Sequence, residues 1–184
     1  MNKRRQIDIA LALMLLGSQG AVADSPYTGQ ETRAIKALSD SEIADYRDGH
    51  GMGESKAAEL NHYPGPRHVL DSATELQLTA DQRTKTTAIY IAMEQQAKDI
   101  GRQIIAKEAE LEALYATRQA TTDNTRRLVD ELAKLHADFR FTHLSAHLAM
   151  PAILTPRQVA QYDELRSYGL ERPKLQRHEH KHPM

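Results

Sequence analysis

The chain contains no cysteine and no tryptophan. Without cysteine there is no disulfide framework, no thiolate metal site, no cysteine nucleophile and no thiol redox switch. Any soft-metal chemistry falls to histidine, methionine and carboxylates. Aromatic residues make up only 5% of 184 residues, with nine glycines and seven prolines, a composition that is neither collagen-like nor of low complexity. Neither sign of charge is in excess. Lys plus Arg number 24 against 25 Asp plus Glu, so the net charge of −1 gives no electrostatic reason for nucleic-acid binding. The apolar fraction of 40% is too high for full disorder, and the length suits one domain with tails. What is present in unusual number is histidine, at nine.

Residues 1–23 read as a secretory signal. Lys3, Arg4 and Arg5 form a basic start, Ile9 to Leu16 is an apolar run, and Ala21-Val22-Ala23 supplies the small residues of a cleavage site before Asp24. The apolar run is far shorter than the roughly 20 residues that span a bilayer. Cleavage is therefore expected, with no membrane span in what remains. In a bacterium that places the chain in the periplasm.

Residues 24–66 read as an irregular segment punctuated by Gly29, Gly49, Gly51, Gly53, Pro64, Gly65 and Pro66. Short helices are expected at Ser39 to Tyr46, where Ser39 and Glu42 make a capping box, and at Glu54 to Leu60. Pro64-Gly65-Pro66 forces a turn. Residues 67–168 read as the helical domain. They hold only Pro151 and Pro156, and a single glycine, Gly101. Thr79 to about Arg118 carries Ile89, Met93, Ala97, Ile100, Ile104, Leu111 and Tyr115 at mostly helical steps, and Thr121 to Met150 carries Leu128, Leu132, Leu135, Phe139, Ala146 and Met150. These helices would be roughly 60 and 45 Å long at 1.5 Å per residue. Their link, Ala120 to Asp123, is short, so an all-α fold is expected: a long antiparallel helical hairpin flanked by two shorter helices, one from Arg67 and one from Thr155 to Tyr168. A lone hairpin buries little, and a homodimer would cover its stripes. Residues 169–184 read as a His-rich, disordered tail.

Leu78-Thr79-Ala80-Asp81-Gln82 and Leu154-Thr155-Pro156-Arg157-Gln158 repeat one pattern, LTxxQ. Each Thr is an N-cap, and each Gln at the third helical position reaches back to the cap amide. Pro156 at the first helical position loses no useful hydrogen bond. The pair of motifs around a long proline-free hairpin, behind a signal, resembles the Spy/CpxP (LTxxQ motif) family of periplasmic proteins, including its ZraP- and CnrX-like metal-responsive members. The resemblance covers roughly residues 66–168. It implies a four-helix protomer that dimerises into a curved cradle, and either of two roles. One is stress-related, chaperone-like binding of unfolded clients or of an envelope-stress signalling partner. The other is sensing or buffering of heavy metals through histidines on the hairpin.

His143 and His147 form an HxxxH pair, one helical turn apart on one face, a spacing that a metal ion can bridge. At about 100° per residue, His143 falls on the rim of the buried stripe, with His147 and His136 just outside it. The family resemblance adds His68 from the first helix, and Glu94 or Met93 from the long one. Nitrogen and oxygen donors beside a thioether suit zinc, nickel, cobalt or copper without choosing among them. His178, His180 and His182 in the tail are weaker metal candidates. His50, Met52 and His62 add further donors. The acidic residues Glu108, Glu110 and Glu112 near Lys107, and Arg126 and Arg127 near Asp130 and Glu131, read as a solvated face with local ion pairs. No nucleophile elbow, P-loop, dinucleotide or HExxH pattern is present, so an enzyme is not expected, and no catalytic or cofactor-binding residue is singled out.

Overall fold

The computed structural model describes residues 25–168. The signal at 1–23 and the tail at 169–184, with His178, His180 and His182, lie outside the described residues. What is described falls into two units. Residues 25–32 are a run of turns, closed by Thr28 N–H donating to the Ser25 carbonyl and Gln30 N–H to the Tyr27 carbonyl, both at 3.0 Å. Residues 33–168 form the second unit, which carries every feature below.

This unit is all-helical, with no strand among the described residues. Helices α1 (Asp40–Asp48), α2 (Lys56–Glu59) and α3 (Pro66–Asp71) precede two long ones, α4 (Ala80–Ala116) and α5 (Thr122–Ala149). A 3-10 turn at Met150–Ala152 leads to α6 (Pro156–Leu165). No described helix is long and apolar enough to cross a membrane. Four short helices therefore accompany the long pair: α3 and α6 flank it, and α1 and α2 fall where short helices were expected within the Gly/Pro-punctuated segment, α1 running two residues further and α2 shorter than read. Local chemistry sets the starts. Ser39, Thr79 and Thr155 each make a full capping box with the residue three positions on. Thr121 does the same with Asn124, a box that the usual Glu/Gln rule does not flag. Pro66 opens α3 at the first helical position, where its missing N–H costs nothing.

Helices α4 and α5 run antiparallel. Tyr115 meets Thr125, Glu110 meets Arg127, and Lys107 meets Glu131 as one helix ascends and the other descends. Their apolar stripes meet in a cluster of Ala97, Ile100, Ile104, Leu132 and Phe139, with Tyr46 of α1 packed against it. So the middle of both stripes is covered inside one chain, by each other and by α1, while Tyr115 near the tip is 58% exposed. The cover depends on Gly101, whose Cα lies directly beneath the last turn of α1. A second cluster of Val69, Leu76, Met150, Leu154 and Tyr162 joins α3, α6 and the base of the long pair. Each fully buried side chain of this size contributes about 1.5–3 kcal/mol.

The two LTxxQ motifs meet in this second cluster. Gln82 Nε2 donates to Gln158 Oε1 (2.8 Å), and Gln158 Nε2 donates to Gln82 Oε1 (3.0 Å). Each amide also donates to a carbonyl beside the other motif, Gln82 to Ile153 (2.8 Å) and Gln158 to Leu76 (3.1 Å). The capping glutamines are thus a direct link between the starts of α4 and α6. Thr79→Ala should cost about 1 kcal/mol, as lost N-caps do. Gln158→Ala should cost about 2–3 kcal/mol, because it also leaves the Leu76 carbonyl and the Gln82 amide unpaired in a buried setting. Urea melts of the two variants measure the difference. Equal losses would mean that the motifs act only as separate caps.

Candidate metal centre

Helices α3, α4 and α5 and the loop after α1 surround a cleft of about 290 Å³. Every ligand proposed within the helical domain lines it: His68 on α3, Met93 and Glu94 on α4, and His143 and His147 on α5. Arg67, Tyr90, Gly65 and the loop residues Gly49 to Gly51 also line it. The helical spacing of His143 and His147 points both rings to this side, and Pro66 starts α3 so that His68 faces them.

The two α5 histidines are not on an open rim, as the helical wheel places them. His143 is 4% exposed and His147 6%. The reason is the 49–65 loop, which roofs this face of α5. Gly51 comes so close to His143 that a methyl group there would sit 3.3 Å from Nδ1, and a methyl at Gly65 would sit 3.0 Å from His147 Cε1. His147 Nδ1–H donates to the Tyr63 carbonyl at 2.8 Å. That bond uses Nδ1 as the donor, the arrangement by which proteins orient a metal-binding imidazole, and the ring atom nearest Gly65 is Cε1. His143 stacks edge-on against Phe139, with ring centres 4.9 Å apart, and its Nε2 is buried with no hydrogen-bond partner. Burial, helped by the neighbouring His147, lowers the His143 pKa to about 4. At neutral pH its ring carries a free lone pair and no charge.

The remaining candidates are more open or more occupied. The His68 side chain is 42% exposed, with Nδ1 3.6 Å from Asp71. Desolvation, reinforced by Arg166, lowers its pKa. Glu94 accepts from the Tyr90 hydroxyl at 2.8 Å and pairs with Lys98 at 3.3 Å, contacts that hold its carboxyl below the usual range. His50 lines the cleft but pairs with Asp45 at 2.9 Å, and His62 lies elsewhere, paired with Asp163 at 2.7 Å. His136 faces Tyr46 on the far side of Phe139. Among the described residues no three His, Asp or Glu side chains already converge as a ligand set. The donors border one space, and coordination would require their side chains to rotate inward.

Sequence reasoning misses Glu59. Its side chain is only 12% exposed and lies behind His147, with Oε2 3.5 Å from His147 Nδ1. Its Oε1 accepts from Tyr162 (2.5 Å) and Tyr168 (2.8 Å), residues over a hundred positions away. No periodic or motif signal marks a single glutamate in a four-residue helix. The chain matches no family model, no curated protein and no solved structure.

Proposed function

We propose that the chain is a periplasmic, stress-related binding protein of the Spy/CpxP type, and that its cleft binds a divalent transition metal. One observation carries the metal reading. The side chains selected as ligands border a single cleft, two of them are buried imidazoles, and His143 Nε2 there has no hydrogen-bond partner. Neutral imidazole suits zinc, nickel, cobalt and copper alike. Binding would draw His68 inward over His143 and His147, linking α3 to α5 and shifting the helical unit between states.

A chaperone-like role rests on a different feature. Phe141 and Leu148 on α5 are 66% and 58% exposed, seven residues apart and so on one side of the helix. They offer an apolar stripe to an unfolded client, and the same stripe is where a second copy would pack into a dimeric cradle.

The test uses the exported protein with His178, His180 and His182 changed to alanine, so that the tail cannot bind. Calorimetry with zinc or nickel should show binding. The double change His143→Ala, His147→Ala should lower the affinity roughly a hundredfold or abolish it. Unchanged affinity in that variant retires the metal cleft. Suppression of client aggregation that is unaffected by a chelator, yet lost in Phe141→Asp, would leave the chaperone role standing by itself.

A further inference from the structure

Beside the first cleft lies a second, of about 440 Å³, bordered by residues 51–60 of the roof and by Arg166 and Tyr168 just after α6. We infer that it binds a single-chain amphiphilic anion, an alkyl carboxylate or alkyl phosphate. The head would sit on Lys56 and Arg166, and the chain along Met52 and Leu60. The inference does not depend on the metal-binding reading.

Charge selects the head. Lys56 and Arg166 line this cleft against one acidic residue, Glu59. That carboxylate is already engaged. Its Oε1 accepts from Tyr162 and Tyr168, with Arg166 Nε at 3.4 Å, and its Oε2 lies 3.5 Å from His147 Nδ1. Arg166 meets Glu59 and the Tyr168 hydroxyl through Nε, so its terminal N–H groups have no partner among the described residues. The Tyr168 ring lies under the guanidinium, 5.7 Å away, and holds it in place. Lys56 stands apart from the other described lysines. Lys36, Lys85, Lys98, Lys107 and Lys134 each pair with a carboxylate, and Lys56 does not. Its side chain runs over Gly53, where a methyl group would sit 2.9 Å from Cε and 3.3 Å from Nζ. A side chain at position 53 would contest the space that the ammonium takes. Charge-assisted hydrogen bonds from an ammonium and a guanidinium suit a carboxylate or phosphate head.

The same lining supplies the apolar part. Met52 and Leu60 both border the cleft, yet they are 39% and 61% exposed. Met52 also holds a left-handed backbone, φ 44, which is uncommon for a bulky residue, and Gly53 follows at φ 86. Two large apolar side chains beside an unpaired ammonium match a ligand that is charged at one end and apolar at the other. Ligand clefts combine these features, at volumes of about 300–1,000 Å³. Methionine is unbranched and polarisable, and it adapts to a chain of no fixed shape. The unit is all-helical and offers no described sheet edge to an extended peptide, so the polar groups serve a head and not a backbone.

Decanoate is the probe, titrated by calorimetry below its micelle concentration into the full exported chain with a chelator present. The chelator keeps the result separate from any metal in the first cleft. Decanoate should bind, and octanoate more weakly, by up to about fourfold for each methylene removed. Decanol, which lacks the charge, should bind at least about tenfold more weakly than decanoate. Decyl phosphate, run in parallel, tells a lipid-phosphate source from a fatty acid by which head binds more tightly. Lys56→Glu and Leu60→Asp change exposed residues, so the helical circular dichroism should persist. Each should weaken decanoate roughly tenfold or more, whereas Lys134→Glu on the exposed side of α5 should change it less than about twofold. The inference is overturned if decanoate does not bind, or if acetate or decanol binds as tightly. It is equally overturned if Lys56→Glu binds like the parent, or if Lys134→Glu takes the same loss. Tighter binding of N-acetyl-leucyl-leucine than of decanoate would replace the alkyl chain by a peptide carboxylate and overturn it too.

Discussion

Gly101→Val should destabilise the helical unit by about 3 kcal/mol, the upper range for forced overpacking. A β-carbon at Gly101 would lie 2.7 Å from the Tyr46 carbonyl carbon, and nearer still to its oxygen. Those are backbone atoms of α1, so no side-chain rotation relieves the clash, and the whole helix must lift. Lifting it exposes the half-buried face of Tyr46 and opens the cluster around Phe139. Even Gly101→Ala decides between two rules. Helix propensity alone favours alanine in mid-helix by about 1 kcal/mol. The close approach of α1 costs more than that, so thermal melting should show a loss. A more stable alanine variant would mean that α1 is not seated here.

Acid should loosen the fold through His143. Burial lowers this imidazole from 6.5 to about 4, so between those values the unfolded chain takes up a proton that the folded chain refuses. Stability from this group is therefore complete above about pH 6.5, and it is lost as pH falls toward 4. The shift corresponds to about 3 kcal/mol at most. Urea melts of the metal-free protein across that range should show the decline. His143→Gln, which cannot take up the proton, should show a shallower one. A variant with the same slope as the parent would place the acid sensitivity in other groups.

How much of this was legible in the sequence depends on the reach of each rule. Thr79, Thr155 and Ser39 announce their helix starts because a cap and its partner lie three residues apart. Thr121 with Asn124 is the same device with an unlisted partner, so only its helix was foreseen. The HxxxH spacing brought His143 and His147 to one face, and the motif resemblance brought in His68, Met93 and Glu94. The roof over the histidines was not legible. It is made by Gly51, Tyr63 and Gly65, residues that read as loop and that are defined by what they touch more than eighty positions away. Glu59 and the Gln82–Gln158 pair were invisible for the same reason. Their partners are brought together by the packing of α2, α4, α5 and α6, and local pattern carries no trace of that. That Tyr46 of α1 packs onto the hairpin stripes was not legible either, because a capping box marks where a helix starts and not what it lies against.

The glutamine link at the LTxxQ end has no formal charge. The opposite end of the long pair is held by Lys107, Glu110, Arg127 and Glu131, an exposed ionic lattice across α4 and α5. Dissolved salt weakens exposed ionic contacts and leaves neutral amide pairs nearly untouched. The two ends therefore respond to different solvents. A rise in ionic strength slackens the tips where α4 turns into α5, while the paired amides keep α6 moored to the base of α4. The cleft, set beside the moored end, is spared fluctuations of the medium that the tips register.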